Sequence, residues 1–468
     1  MNKIFVRVIA FCLIASILLL SFSGCNEKAE AVKIEPMEIE RVDTFGFDFI
    51  GGKDVMTVSG FYGPHPPGNS IDGNREPDVV VENTFKYLSE AGVNHLSGLG
   101  WDITAPGSYE FGQRFFKYTE KYGICATIET DRTKFATIKA ADEYFKPFRD
   151  RYPSFQSVFV CDEPAGPNYF ENPANEVSLY APYFEALNAL GYFPYCNLFP
   201  LYDLDQTNEF IEYVQIYLDT CKPPVLSYDH YINKDSNIKA YFSNMSIIRK
   251  MAEEVNIPWW GFIAAWCPGA DVYDNPTEWG FYWNINTTLA YGAKGLQYYL
   301  GVANKEEVYG ALKEFDAITE ETISKAATRV GILGGFGHKT RWWHYSKNIT
   351  TQIKAIDHVL MNSVNKGVIR TGKEAERDLE LSDHIIKGES WRELKAISGD
   401  VMIGCFNYNG KSAFYVVNYD DEYGQHITLN FHDKYQMKVT QEAKDSYYET
   451  NKLKLDMYPG EGVLIVME

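Results

Sequence analysis

The sequence predicts an α/β chain: a (β/α)8 TIM barrel followed by a small C-terminal antiparallel β-sandwich domain. Three observations carry that expectation. Eight short runs rich in apolar, β-branched or aromatic residues recur at steps of 29 to 40 residues, each followed by a longer amphipathic stretch, which is the rhythm of successive βα units. No GxGxxG follows the first run, so the fingerprint of an open dinucleotide-binding sheet is missing and no cofactor is expected. From about Lys387 the rhythm gives way to short alternating runs separated by Asn-Gly and Pro-Gly turns, the pattern of antiparallel strands.

In chain order the expected strands are VMTVSGFYG from Val55, HLSGLGW from His95, ICATIETD from Ile124, FQSVFVCDEP from Phe155, YFPYCNLFP from Tyr192, VLSYDHY from Val225, IPWWGFIAAW from Ile257 and GLQYYLG from Gly295. Between them, 76–92 spaces Val81, Phe85 and Leu88 as one helical face with Gly92 as its C-cap, and 238–255 does the same with Tyr241, Met245, Ile248 and Met251. A further helix is expected over 350–363, and the β domain is built from SAFYVVNY, QHITLNF, KLKLDMYPG and EGVLIVME. The resulting division is a signal segment at 1–24, a tether at 25–44, the barrel at 45–375 and the β domain at 376–468.

The N-terminus reads as a targeting segment. Lys3 and Arg7 precede an apolar run from Val8 to Leu20 that is too short to span a bilayer, and SFSGC follows. SFSGC resembles the bacterial lipobox, which implies cleavage before Cys25, acylation of its thiol and attachment to a membrane through that lipid. A polar, aperiodic stretch from residue 26 to 44 suits a tether.

Composition narrows the partners. With 45% hydrophobic and 15% aromatic residues the chain has material for real cores, and disorder is excluded. A net charge of -19 without a basic stripe argues against nucleic acid, whose phosphates are held by clustered Lys and Arg. Apart from Cys12 and Cys25, six cysteines remain, none in a CxxC pair, so free thiols are expected in place of zinc or a disulfide framework.

A barrel of this kind places its site where the strands end, because the loops there converge while the interior is packed solid. The strand ends here are rich in carboxylates and aromatic rings: Glu129 and Asp131 on the third, Asp162 and Glu163 on the fourth, Asp229 on the sixth. Crowded carboxylates push their pKa values apart, so one stays protonated while another ionises, and cleavage of a glycosidic bond uses such a pair. Asp162, Glu163 and Asp229 are the candidates for such a pair. Tyr62, His65, Trp101, Asp131, Asn197, Tyr231, Trp266 and Tyr298 are expected to bind substrate, the rings by stacking on sugar faces. His230 must point away from Asp229 toward a helix, and Trp259 and Trp260 belong to the barrel floor. A metal-dependent hydrolase would need several strand-end histidines, where only His65 stands, and no GxSxG elbow is present.

The fourth-strand DEP, the SYDHY at 227–231 and the YGAKGLQYY at 291–299 give the chain, over about 45–370, a resemblance to secreted bacterial glycoside-hydrolase-like barrels. In the retaining clan that the barrel is similar to, the fourth strand ends in Asn-Glu with the Glu as acid/base, which maps onto Glu163 with Asp162 in place of Asn. That clan's nucleophile is a Glu ending the seventh strand, where this chain reads GFIAAWCPG. The resemblance therefore implies a glycosidase acting on a carbohydrate with Glu163 as general acid/base, and analogy with other sugar hydrolases that pair strands four and six makes Asp229, or else Asp162, the expected second carboxylate. A carbohydrate-binding lipoprotein without activity, or a lyase at the same mouth, are the competing expectations.

Overall fold

The computed structural model describes residues 54–65, 77–98, 109–168, 173–232, 238–266, 277–303, 319, 330–335, 337–372 and 391–468. The signal segment, the tether with Cys25, and Trp101 lie outside the described residues.

Each of the eight runs yields one strand: β1 (Thr57–Phe61), β2 (His95–Ser97), β3 (Cys125–Ile128), β4 (Phe155–Asp162), β5 (Phe193–Leu198), β6 (Leu226–Tyr228), β7 (Trp259–Ala264) and β8 (Gly295–Tyr299). They pair in parallel in sequence order, and β8 closes on β1 with Thr57 opposite Gly295. Around them run α1 (Pro77–Glu90), α2 (Tyr109–Tyr122), α3 (Ile138–Arg151), α4 (Pro173–Ser178), α5 (Ala181–Ala189), α6 (Thr207–Cys221), α7 (Ile238–Glu254), α8 (Glu278–Ala290) and α9 (Arg341–Met361).

Strand alternation sends Leu96, Val158 and Leu226 outward under the helices and turns a second set of side chains inward. The inward set begins with a polar layer: His95 meets Ser59 at 2.9 Å, Thr127 at 3.0 Å and Ser157 at 3.1 Å. Burial pushes the His95 imidazole down to about 3, so it stays neutral there. Phe61, Phe159, Phe193, Tyr195, Trp260 and Phe262 form an aromatic layer in contact with it. Trp259 and Trp260 are buried, as their place at the start of β7 requires. Gly295 makes room for the indole of Trp260, since a Cβ there would lie 2.3 Å from its ring.

After α9 the chain enters the antiparallel domain: β9 (Ser363–Arg370), β10 (Leu394–Ser398), β11 (Val401–Tyr408), β12 (Lys411–Asn418), β13 (Gln425–Gln441), β14 (Lys444–Met457) and β15 (Gly462–Met467). The strand order is β10-β13-β15-β12-β11-β9, with β14 paired to β13. This sheet starts earlier than the alternation after Lys387 suggests, because β9 pairs with β11 along its length.

One face of β11, β12 and β15 covers the domain's own core of Ile403, Phe414, Val416 and Ile465, while the other, with Met402, Phe406, Tyr415 and Leu464, joins the barrel core. The contact is close: a Cβ on Gly404 would lie 2.3 Å from the carbonyl oxygen of Ala290. Tyr415 donates from its hydroxyl to Asn286 Oδ1 at 2.6 Å, and Asn286 Nδ2 donates to the Gly460 carbonyl at 2.8 Å. As a result α8 is buried on every side from Gly280 to Ala290.

Candidate active site

The end of β4 is shaped by an irregularity and a tight turn. Its register with β5 shifts between Phe159 and Cys161, and Glu163 and Ala165 then adopt φ of 44° and 67°. Both are left-handed values that cost a non-glycine residue about 1–3 kcal/mol. Two backbone bonds hold the turn: Glu163 N–H donates to the Asn197 carbonyl at 2.8 Å, and Gly166 N–H donates to the Glu163 carbonyl at 2.8 Å. The two adjacent carboxylates thereby sit at the mouth together, Asp162 as the last residue of β4 and Glu163 on the turn above it.

Asp229 follows β6 and is buried, held from below by a directed chain of hydrogen bonds. Gln297 Nε2 donates to Ser227 Oγ at 2.7 Å, Ser227 Oγ donates to Asn197 Oδ1 at 3.0 Å, and Asn197 Nδ2 donates to Asp229 Oδ1 at 2.8 Å. The Asn197 amide also bonds Asp162, and Tyr231 bonds Asp229. Burial first, then the charge of Glu163, push Asp229 up to about 7 against the pull of Asn197 and Tyr231. Asp162 is likewise pushed up to about 7, by the surrounding protein first and by the charge of Asp229 second, with Glu129 adding to it. Its side chain remains in contact with solvent at the mouth, which screens part of that push.

Glu163 and Asp229 act on each other's titration across the mouth. Burial and the neighbouring Asp162 raise Glu163, while Asp229 pulls it back down. Both groups are raised, and the two titrate as a unit.

The aromatic side of the mouth is centred on Tyr299, whose ring lies 5.3 Å from Tyr231, 6.2 Å from Tyr62 and 6.3 Å from Trp266. His65 adjoins Tyr62 at 6.2 Å. Tyr298 departs from expectation: it is fully buried on the outer side of β8, stacked on Phe281 at 5.6 Å, because alternation turns it away from the barrel axis. Asp131 departs as well. It is exposed and caps a short helical turn by accepting from Thr133 N–H at 2.9 Å, which lowers its pKa and occupies the carboxylate. His230 faces α7, where Asn244 Nδ2 lies 2.9 Å from its Nδ1.

Two further residues join the site, Tyr202 without a sequence signal and Glu129 as one of the strand-end carboxylates. Tyr202, half exposed in the loop after β5, feels the charges of Asp229 and Glu163, and burial together with those charges pushes its phenol up to about 12. Glu129, at the end of β3, acts on Asp162. A surface groove of roughly 480 Å³ between α2 and α3 is lined by Arg114, Lys117, Arg151 and Tyr152, none of which belongs to the mouth. Among the described residues no group of three or more His, Cys, Asp or Glu side chains has the arrangement to hold a metal ion.

No family model and no curated protein matches the chain. Solved structures do. An α-galactosidase from Saccharomyces cerevisiae with raffinose is 9% identical, with a TM-score of 0.44 over 90% of this chain and 99% of that one. The catalytic domain of a GH30 xylanase C from Talaromyces cellulolyticus is 10% identical, with a TM-score of 0.42 over 88% and 97%. A maltogenic α-amylase from Thermotoga neapolitana is 10% identical, with a TM-score of 0.42 over 89% and 99%. At identities and scores this low, the chemistry has to be argued from the site itself.

Proposed function

We propose that this chain is a glycosidase that cleaves an O-glycosidic bond at the barrel mouth, with Glu163 and Asp229 as its carboxylate pair. One observation supports the reading above others: two carboxyl groups from the ends of different strands, Glu163 on the turn after β4 and Asp229 held by Asn197 after β6, act on each other's charge at one mouth. Such a pair supplies an acid for the leaving oxygen and a base or nucleophile for the other face of the sugar. Glu163 serves as general acid/base, with Asp229 or Asp162 as the second carboxylate. Tyr62, Tyr231, Tyr299 and Trp266 offer ring faces to the saccharide. The N-terminal segment would export the protein and anchor it to the cell envelope through a lipid on Cys25.

The test is a screen of aryl glycosides and polysaccharides with wild type, Glu163→Gln and Asp229→Asn. Turnover that falls 10²- to 10⁴-fold in either variant, with the fold retained, is the expected result. A second reading, a carbohydrate binder without activity, is favoured by β7, which ends in Ala264 and is followed by Ala265 with no carboxylate at either place. Retained binding with no turnover even in wild type would select it, and unsaturated products would select a lyase. Incorporation of a labelled fatty acid into wild type but not Cys25→Ala tests the anchor.

A further inference from the structure

Cys161 and Cys196 stand opposite each other in the register of the neighbouring parallel strands β4 and β5. Adjacent strands lie about 4.7–4.9 Å apart, inside the Cα separation of about 4.4–6.8 Å that a disulfide spans. Both side chains point outward from the barrel, one residue before the inward-facing Asp162 and Asn197, each thiol acts on the other's titration, and Cys161 Sγ donates to the Asp162 carbonyl at 3.2 Å. They differ in access, for Cys161 is partly exposed and Cys196 is fully buried.

Their surroundings differ too. Cys161 bonds the Tyr180 hydroxyl and lies in the field of Arg132, whose guanidinium sits 5.0 Å from the Tyr180 ring. Contact with Cys196, with Tyr180 and with that positive charge lowers the Cys161 thiol below its ordinary value, while burial raises Cys196 well above. An accessible, activated thiol beside a buried one is the division of labour between an attacking and a resolving cysteine.

We propose that Cys161 and Cys196 form a reversible disulfide directly behind the candidate site, by exchange with a small-molecule disulfide. The Cys161 thiolate attacks one sulfur of the small disulfide, forming a mixed disulfide and releasing one thiolate. Cys196 loses its proton, attacks the Cys161 sulfur and releases the second thiolate. Two protein thiols are oxidised, one small disulfide is reduced to two thiols, and no other reactant is required. Because the bond ties the residues preceding Asp162 and Asn197, it fixes the two strand ends that carry the carboxylates.

The experiment uses the full chain with oxidised glutathione as the probe, an acid quench, alkylation under denaturing conditions and non-reducing peptide mass spectrometry. The expected product links the peptides of Cys161 and Cys196, lacks two alkylatable thiols and recovers both on reduction with dithiothreitol. Cys221→Ser, which removes the thiol nearest to Cys196 on α6, leaves the link unchanged. Cys196→Ser halts at the Cys161–glutathione mixed disulfide. Full alkylation of both cysteines after oxidant, glutathione retained on Cys161 of wild type, or a Cys196–Cys221 link each overturns the proposal. The readout is covalent mass, so the result is independent of whether any glycoside is cleaved.

Discussion

Asn197 Nδ2 donates to Asp229 Oδ1 at 2.8 Å and the same side chain pulls down the pKa of Asp162, so one neutral side chain serves two carboxylates from different strands. Its carbonyl end is occupied by Ser227, which leaves only N–H donors to face the acids. A donor stabilises the ionised form of an acid, so Asn197 is what keeps both pKa values from climbing further.

Removing that donor in Asn197→Ala raises the apparent pKa of the Asp162–Asp229–Glu163 group, and the alkaline limb of the pH–rate profile moves to higher pH. Ser227→Ala, which frees the amide to turn, shifts the limb the same way by a smaller amount. Carboxyl NMR titration of both variants checks the direction even where no substrate is in hand. An unchanged titration contradicts the network.

The raised pKa of Asp229 carries a stability cost with a defined pH window. In the unfolded chain an aspartate titrates near 4, whereas in the fold Asp229 titrates at about 7. Between those values the native state holds a proton that the unfolded state has released, so stability falls as pH rises from about 4 to about 7 and stays reduced above. The ceiling on this single contribution is roughly 4 kcal/mol at 1.36 kcal/mol per unit. Asp229→Asn is expected to flatten the decline, making the variant relatively more stable at pH 8 than at pH 4 in denaturant titrations.

Tyr298 and Tyr299 are neighbours with opposite duties. Tyr299→Ala removes a mouth ring and is expected to weaken saccharide binding by about 1 kcal/mol or more with a small effect on stability. Tyr298→Ala opens a cavity beside Phe281 and is expected to cost about 3–5 kcal/mol of stability. Paired denaturation and binding measurements would show the two effects separated, and the reverse assignment would refute this placement.

Gly295→Ala puts a methyl 2.3 Å from the indole of Trp260, which is fully buried in the barrel floor. Overpacking of this kind costs about 1–3 kcal/mol, and a shift in tryptophan fluorescence should accompany the loss.

Most of the barrel was legible because its strands are short apolar runs at near-regular intervals, a periodicity that burial on both faces imposes. The meeting of Glu163 and Asp229 was legible for a related reason, since each stands just past the last apolar residue of a strand. The phase of β8 was misread, yet GLQYY contains the cue. Gln297 is polar in a fully buried strand and must face the interior relay, which by alternation sends Tyr299 inward and Tyr298 out. Asp131 carried a cue too, for Asp-Arg-Thr matches a local turn in which the acid accepts from the second residue on. Tyr202 had none, because its approach to the carboxylates depends on the path of a loop. β9 was missed because its run, SVNKGVIR, interleaves polar residues that pack against the barrel and not against water.

The contact of Gly404 with the carbonyl of Ala290 means that the two halves of this protein cannot be handled as separable modules. A chain cut after Met361 would bare α8, a helix with no polar side to show to water, and strand Asn286 without its tyrosine. Attempts to express the barrel alone should therefore yield aggregates, and efforts to improve solubility belong on the full chain, at the exposed positions of β13 and β14.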